Sequence, residues 1–191
     1  MLKTHHFKCN SPEYNPDIHH RRSIRLREYD YTGVGAYFVT ACTHARECLF
    51  GQIAGDELRP SAYGEIALEC WLDIPKHCPH VDLDAFIVMP NHIHGILVLV
   101  DDTARSSPAP VQERFGKPVA GSLPTIVRLY KASVTRHINE LRSAPGTQVW
   151  QRNYYEHVVR NQAALDRIRD YIISNPSRWE PDQLHPNNPS R

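Results

Sequence analysis

The 191-residue chain has no Cys-x-x-C pair, no long apolar run and no excess of one charge, and each absence removes a class of protein. Its five cysteines (Cys9, Cys42, Cys48, Cys70 and Cys78) are odd in number and widely scattered. That argues against a zinc ribbon or a disulfide scaffold and fits a reducing compartment. The longest apolar stretch, near 93–100, is far too short to span a bilayer. The N-terminal residues are polar and His-rich, without the apolar segment of a secretory signal, so a cytoplasmic protein with no membrane partner is expected. A net charge of +1 does not announce a nucleic-acid binder, so any such binding must come from local patches. P-loop, Gly-x-Ser-x-Gly, dinucleotide-fingerprint and paired-carboxylate signatures are all missing.

What is present reads as a soluble globular chain. Hydrophobic content of 41% and charged content of 23% are ordinary, and the length suits one core with appendages. The prolines gather in the first 20 residues, around 106–124 and after 175, which places irregular segments at both ends and in one internal loop. The expected organisation is a basic arm over 1–28, a single domain over 29–175 with a polar loop at 101–121, and a tail over 176–191.

Within that domain, Ala36–Thr43 is rich in strand formers and follows Gly33 and Gly35. Ser61 can cap a helix from about 62 to 75, with Ile66, Cys70 and Ile74 on its buried face. Val81–Met89 and His92–Val100 read as strands joined by Pro90-Asn91, an antiparallel pair, and the second is apolar on both faces. Ser122 opens a helix whose apolar side carries Leu123, Ile126, Val127, Tyr130, Val134 and Ile138. Val149–Val159 is strand-like, and Asn161 caps a last helix that ends near Ser174, before Asn175-Pro176. The order β-α-β-β-α-β plus a helix predicts an α+β, ferredoxin-like (split βαβ) antiparallel sheet, with helices on one face and an additional C-terminal helix. That fold hosts many activities and decides none.

The sharpest chemical signal is Met89-Pro-Asn-His-Ile-His94. Alternation along a strand points His92 and His94 to one face, where two imidazoles can share a divalent cation. The competing reading is two unrelated histidines in a chain that has 12. Their position at the head of an apolar central strand favours a ligand role, because imidazoles there need polar partners. Leu165, Ile168 and Ile172 mark the buried stripe of the last helix, and Tyr171 and Asn175 lie on its shoulder. On this segment alone, a core-edge tyrosine and a helix-ending asparagine are the better account. His157 is a further ligand candidate, and Tyr154 and Tyr155 beside it can stack on unpaired bases or serve as core aromatics. Two basic patches stand out: Arg21, Arg22, Arg25 and Arg27 in the arm, and Arg128 with Lys131 on one helix face. Solvated surface charge explains either patch taken alone equally well.

Five stretches in order resemble the IS200-like (Y1) transposase family, in particular its REP-associated tyrosine transposase branch. They are Arg21-Arg-Ser-Ile-Arg25, Ala36-Tyr-Phe-Val-Thr40, Val88-Met-Pro-Asn-His-Ile-His-Gly95, Trp150-Gln through His157-Val-Val-Arg160, and Tyr171-Ile-Ile-Ser-Asn-Pro176. The resemblance implies metal-dependent cleavage and rejoining of single-stranded or hairpin DNA through a 5′-phosphotyrosine, by a monomer or homodimer. It implies Tyr171 as nucleophile, carried by the C-terminal helix, and His92 and His94 as ligands to Mg2+ or Mn2+. Asn175 falls where family members carry a glutamine ligand, and His157 competes with it. The rival from another class is a non-catalytic nucleic-acid binder derived from a transposase. A histidine-triad nucleotide hydrolase would need a further histidine where Ile96 stands.

Overall fold

The computed structural model describes residues 29–101 and 119–188. The arm carrying Arg21, Arg22, Arg25 and Arg27, and most of the 101–121 loop, lie outside the described residues. The elements in chain order are β1 (Gly35–Cys42), β2 (Gly51–Ala54), β3 (Glu57–Pro60), α1 (Ala62–Leu72), α2 (Ile74–His77), β4 (Val81–Met89), β5 (His92–Leu99), α3 (Leu123–Leu141), β6 (Tyr155–Val159) and α4 (Gln162–Ile173).

The main sheet has the order β4-β5-β1-β6, with every neighbouring pair antiparallel. Strand β5 therefore lies between β1 and β4, which α1 connects, and this is the split βαβ, ferredoxin-like arrangement. Pleating gives the two central strands opposite duties on their two faces. Tyr37, Val39 and Ala41 of β1 and Ile93, Leu97 and Leu99 of β5 are buried in the main core, with Trp71 of α1 and Ile126, Tyr130, Val134 and Ile138 of α3. Phe38 and Ile96 point the other way, into a smaller cluster with Ile172 of α4. Two helices thus cover one face, and α4 covers the other.

Gly95 is where the sheet and α1 come closest. A Cβ there would meet the Trp71 ring at 2.4 Å and the Phe86 ring at 2.9 Å. Trp71 and Phe86 stack with centroids 4.4 Å apart, so the glycine beside His94 is the floor on which that aromatic pair rests.

Local chemistry explains the boundaries. Ser61 accepts from Gly64 N and Asn161 accepts from Ala164 N, both as expected of N-caps. Helix α1 stops at Leu72 instead of running to 75, because Pro75 lacks an N–H and its ring would clash with the carbonyl of Trp71. The expected strand from Val149 divides: Thr43 and Trp150 form an isolated bridge, and the ladder resumes only at Tyr155. Between them the Lys131 ammonium donates to the carbonyls of Gln151 (2.6 Å) and Asn153 (3.2 Å), which takes those acceptors out of a sheet ladder. The β2–β3 hairpin, turned at Gly55 with φ +66°, has no counterpart in the sequence reading.

Candidate active site

His92, His94 and Thr40 sit on the α4 face, at the end of the sheet where β5 follows the Pro90-Asn91 turn. Both imidazoles are buried, and their Nε2 atoms are 3.0 Å apart. Their protonation follows from the neighbours. The Asn91 amide donates through Nδ2 to the carbonyls of Arg46 (3.2 Å) and Leu184 (2.8 Å), which turns its Oδ1 toward His92 Nδ1 at 2.8 Å. The amide oxygen only accepts, so His92 carries its hydrogen on Nδ1 and presents a lone pair at Nε2. His94 Nε2 then donates across the 3.0 Å gap, and its Nδ1 accepts from the Thr40 hydroxyl at 2.8 Å. Holding a cation between the two Nε2 atoms requires a lone pair on each. The His94 hydrogen must then move to Nδ1, with Thr40 Oγ1 as its acceptor.

Burial keeps both rings neutral: it pushes His94 down to about 3 and His92 well below the usual imidazole range, with the neighbouring His94 adding to the effect on His92. Neutral imidazole is the form that binds metal.

Helix α4 brings the phenol. Tyr171 Oη lies 3.2 Å from His94 Nε2, and the side chain remains 38% exposed, so it faces both the histidines and solvent. Burial and the nearby Asp182 charge raise its pKa, while Asn175 works in the opposite direction. Asn175, four residues on, is buried; its amide is near enough to the phenol to influence it, yet neither polar atom makes a well-formed hydrogen bond, which costs free energy unless something satisfies it. Helix α4 buries little apolar surface and is tied down by a two-pronged ion pair: Arg169 Nε to Asp84 Oδ1 at 2.8 Å and Nη2 to Oδ2 at 2.6 Å. Asp84 sits in the irregular stretch of β4 between Leu83 and Phe86.

The tail supplies residues the sequence reading did not select. Past a 3-10 turn at Pro176–Arg178, Trp179 is buried with its ring 5.9 Å from that of His92. Asp182 follows, and a carboxylate oxygen lies with the two histidine nitrogens in a group whose atoms are all within 4.8 Å of one another. Asp182 Oδ1 accepts from Leu184 N at 2.6 Å, and the Asn91–Leu184 bond holds that turn beside the histidines. No spacing rule links residue 182 to the histidine pair; the link is made in space by Asn91.

The remaining candidates separate. His157 faces the same side of the sheet as His94 but stands on β6, opposite Phe38, with β1 between it and β5. Tyr155 is opposite Thr40 on that face and 54% exposed, whereas Tyr154 packs against the main core. Arg128 and Lys131 belong to α3, which covers the opposite face. Arg128 is exposed, and burial lowers Lys131 to about 8 while its ammonium serves the 151–153 carbonyls.

The donor set fits a divalent cation: two neutral imidazoles, a carboxylate, and an unsatisfied buried amide close by. No helix among the described residues is long and apolar enough to cross a membrane.

No protein-family model matches the chain. It is 40% identical over 177 residues to an uncharacterized protein of Haemophilus influenzae, spanning 91% of this chain and 97% of that one. Among solved structures it is similar to a REP-associated tyrosine transposase bound to a REP hairpin, with a TM-score of 0.56 and 20% identity over 82% of this chain and 74% of the other. The fold is that of the tyrosine transposases.

Proposed function

We propose that this chain, which belongs to one family with the Haemophilus influenzae protein and has the tyrosine-transposase fold, cleaves and rejoins single-stranded DNA through Tyr171 beside a divalent cation at His92 and His94. The observation that carries the reading is the 3.2 Å approach of Tyr171 Oη to His94 Nε2, itself 3.0 Å from His92 Nε2: nucleophile and ligand pair meet in one place.

The residues divide the work. His92 and His94 supply two nitrogens, and Asp182 supplies a carboxylate oxygen, a donor set suited to Mn2+ and to Mg2+, with imidazole favouring the former. Asn175 is the further candidate ligand, and its unsatisfied amide is consistent with that role. His157 stands on β6, with β1 between it and the histidine strand, which favours Asp182 and Asn175 over it as ligands. When bound, the cation neutralises charge on the scissile phosphate and orients it for in-line attack. Tyr171 needs that help, because a phenol titrates near pH ~10 and burial raises this one further. In the forward step the Tyr171 oxygen forms a bond to phosphorus and the bond from phosphorus to the 3′-oxygen breaks. The phenolic proton leaves to solvent, and the departing 3′-oxygen takes one up. The 5′-phosphotyrosine keeps the bond energy, so a DNA 3′-hydroxyl can displace Tyr171 without ATP.

The solved relative is bound to a REP hairpin, and we extend the substrate class to this chain: hairpin or repeat DNA with single-stranded flanks. The test is trapping of end-labelled hairpin oligonucleotides on the protein, resolved on denaturing gels. The expected adduct requires Mn2+ or Mg2+ and is lost in His92→Ala, His94→Ala and Tyr171→Phe. Tight binding with no adduct in any metal would instead identify a non-catalytic binder.

A further inference from the structure

We infer that the groove between β6 and α4 is a nucleotide subsite, which takes the base flanking the scissile phosphate on Tyr155 and its backbone on Arg167. The inference rests on the reading of Tyr171 as a DNA-cleaving nucleophile and goes beyond it to residues outside that chemistry.

The groove has a volume of about 290 Å³ and is lined by Phe38, Tyr155, His157, Ala164, Arg167 and Ile168. That is the lower end of small-molecule sites and offers room for one base with its sugar. Its position follows from strand register. His94, Thr40 and Tyr155 form one transverse row across β5, β1 and β6, and Ile96, Phe38 and His157 form the next. Two interstrand steps of about 4.8 Å place Tyr155 roughly 10 Å from the histidine strand. An aromatic path fills the interval. Phe38 stacks on the His94 ring at 5.4 Å and meets Tyr171 edge-on at 6.1 Å and Tyr155 edge-on at 6.3 Å. A strand whose phosphate sits at Tyr171 therefore runs directly into the groove.

Each wall has the chemistry for such a guest. Tyr155 is 54% exposed, an aromatic face open to solvent where most large apolar groups are covered. Base stacking on such a face is sequence-tolerant, because every base has a π-face. Arg167 is the arginine of α4 that is left unengaged: Arg169 is committed to Asp84 and Asp166, whereas Arg167 enters no ion pair among the described residues. A guanidinium beside an open aromatic matches a backbone phosphate next to a stacked base. Phe38 and Ile168 close the floor with apolar contact, and His157 adds a polar rim.

The test separates the groove from the chemistry by using the full chain with Tyr171→Phe, which cannot form an adduct. Binding of a fluorescent twelve-nucleotide oligothymidylate is measured by anisotropy at two salt concentrations, alone and with Tyr155→Ala, Tyr155→Phe, Arg167→Ala and, as a control on α3, Arg136→Ala. Tyr155→Ala should weaken binding roughly tenfold and Tyr155→Phe should retain it, as stacking requires. Arg167→Ala should weaken binding and reduce the log–log salt slope by about one charge, while Arg136→Ala changes neither. Photocrosslinking from 5-iododeoxyuridine in the same oligonucleotide should map to Tyr155 or Phe38. Normal binding in Tyr155→Ala and Arg167→Ala, or a crosslink on the α3 face, overturns the subsite while leaving the nucleophile untouched. Failure of the chain to bind either this oligonucleotide or a flanked hairpin overturns both readings.

Discussion

Arg169 grips Asp84 with two parallel hydrogen bonds of 2.8 and 2.6 Å, and this fork fastens α4 to the edge strand two residues before Tyr171. Ile172 is the one fully buried side chain of this helix, with Leu165 and Ile168 partly buried against the same cluster, so the ion pair helps to set where the phenol stands. Arg169→Ala should therefore leave single-stranded DNA binding unchanged and lower the rate of covalent attachment by about ten- to a hundredfold, the cost of a misplaced nucleophile. Arg169→Lys should not restore it, because an ammonium cannot reproduce the fork. Gel-resolved adduct formation alongside anisotropy binding checks both statements.

Tyr171→Phe should abolish the adduct with little loss of stability. Only one hydroxyl, hydrogen-bonded to His94 and partly exposed, is removed, a change of about 1 kcal/mol in thermal or urea unfolding. An adduct that persists and maps to Tyr155 would transfer the role to that residue, which faces the same side of the sheet. Tyr154 is packed against the opposite core and is not expected to react.

Much of this arrangement could be read directly from the chain, and the exceptions have physical causes. Runs of strand-forming residues bounded by Gly33 and Gly35 or by Pro90-Asn91 marked β1, β4 and β5, the caps at Ser61 and Asn161 behaved as their side chains dictate, and the two-residue spacing of His92 and His94 sufficed to place them on one face. The β2–β3 hairpin escaped because its strands are four residues long and hold no buried residue, with no apolar alternation to announce them. The break before β6 escaped because it is made by Lys131, a residue 20 positions away from Gln151. Asp182 escaped for the same reason on a larger scale: a tail rich in Pro and Asn carries no periodic signal, and Asn91 delivers its turn to the site across 93 residues of chain.

Thr40→Val should weaken Mn2+ binding by about ten- to a hundredfold in calorimetry, whereas Thr40→Ser should bind normally. The cation needs a lone pair at His94 Nε2, which requires the ring hydrogen on Nδ1 and an oxygen to receive it. Valine has the shape of threonine and no acceptor. Equal affinity in the Val variant would mean that another group receives the hydrogen.

Asp182→Asn should reduce metal affinity more than Asn175→Ala, and His157→Ala should leave it unchanged. A carboxylate contributes charge as well as a donor atom, and it belongs to the 4.8 Å group with the two histidines. A larger loss in Asn175→Ala would make the buried amide the third ligand instead.

The metal-free protein should lose stability in mild acid. Burial holds His94 at about 3 and His92 well below its normal value, while both titrate near pH ~6.5 in the unfolded chain. Below that pH the unfolded chain takes up protons that the folded one refuses, so the contribution is complete above about 6.5 and falls as the pH drops toward 3. Each histidine contributes at most about 1.4 kcal/mol per pH unit in that window. Asp84, whose carboxyl Arg169 holds below the usual range, is lost only at lower pH. The urea midpoint should fall between pH 7 and 4.5 for the wild-type chain and fall less for His92→Asn/His94→Gln.

Strand β5 spends alternate residues on two different tasks: His92, His94 and Ile96 face α4, while Ile93, Gly95 and Leu97 face the main core. A single-residue insertion or deletion between His92 and Leu97 would reverse the facing of the residues on one side of it, splitting the histidine pair between the two faces or turning an imidazole toward the Trp71 ring. A change of length within this stretch therefore disrupts the site and the core together. Divergence of the site has to proceed by substitution, or through the loop and tail that approach it from outside the sheet.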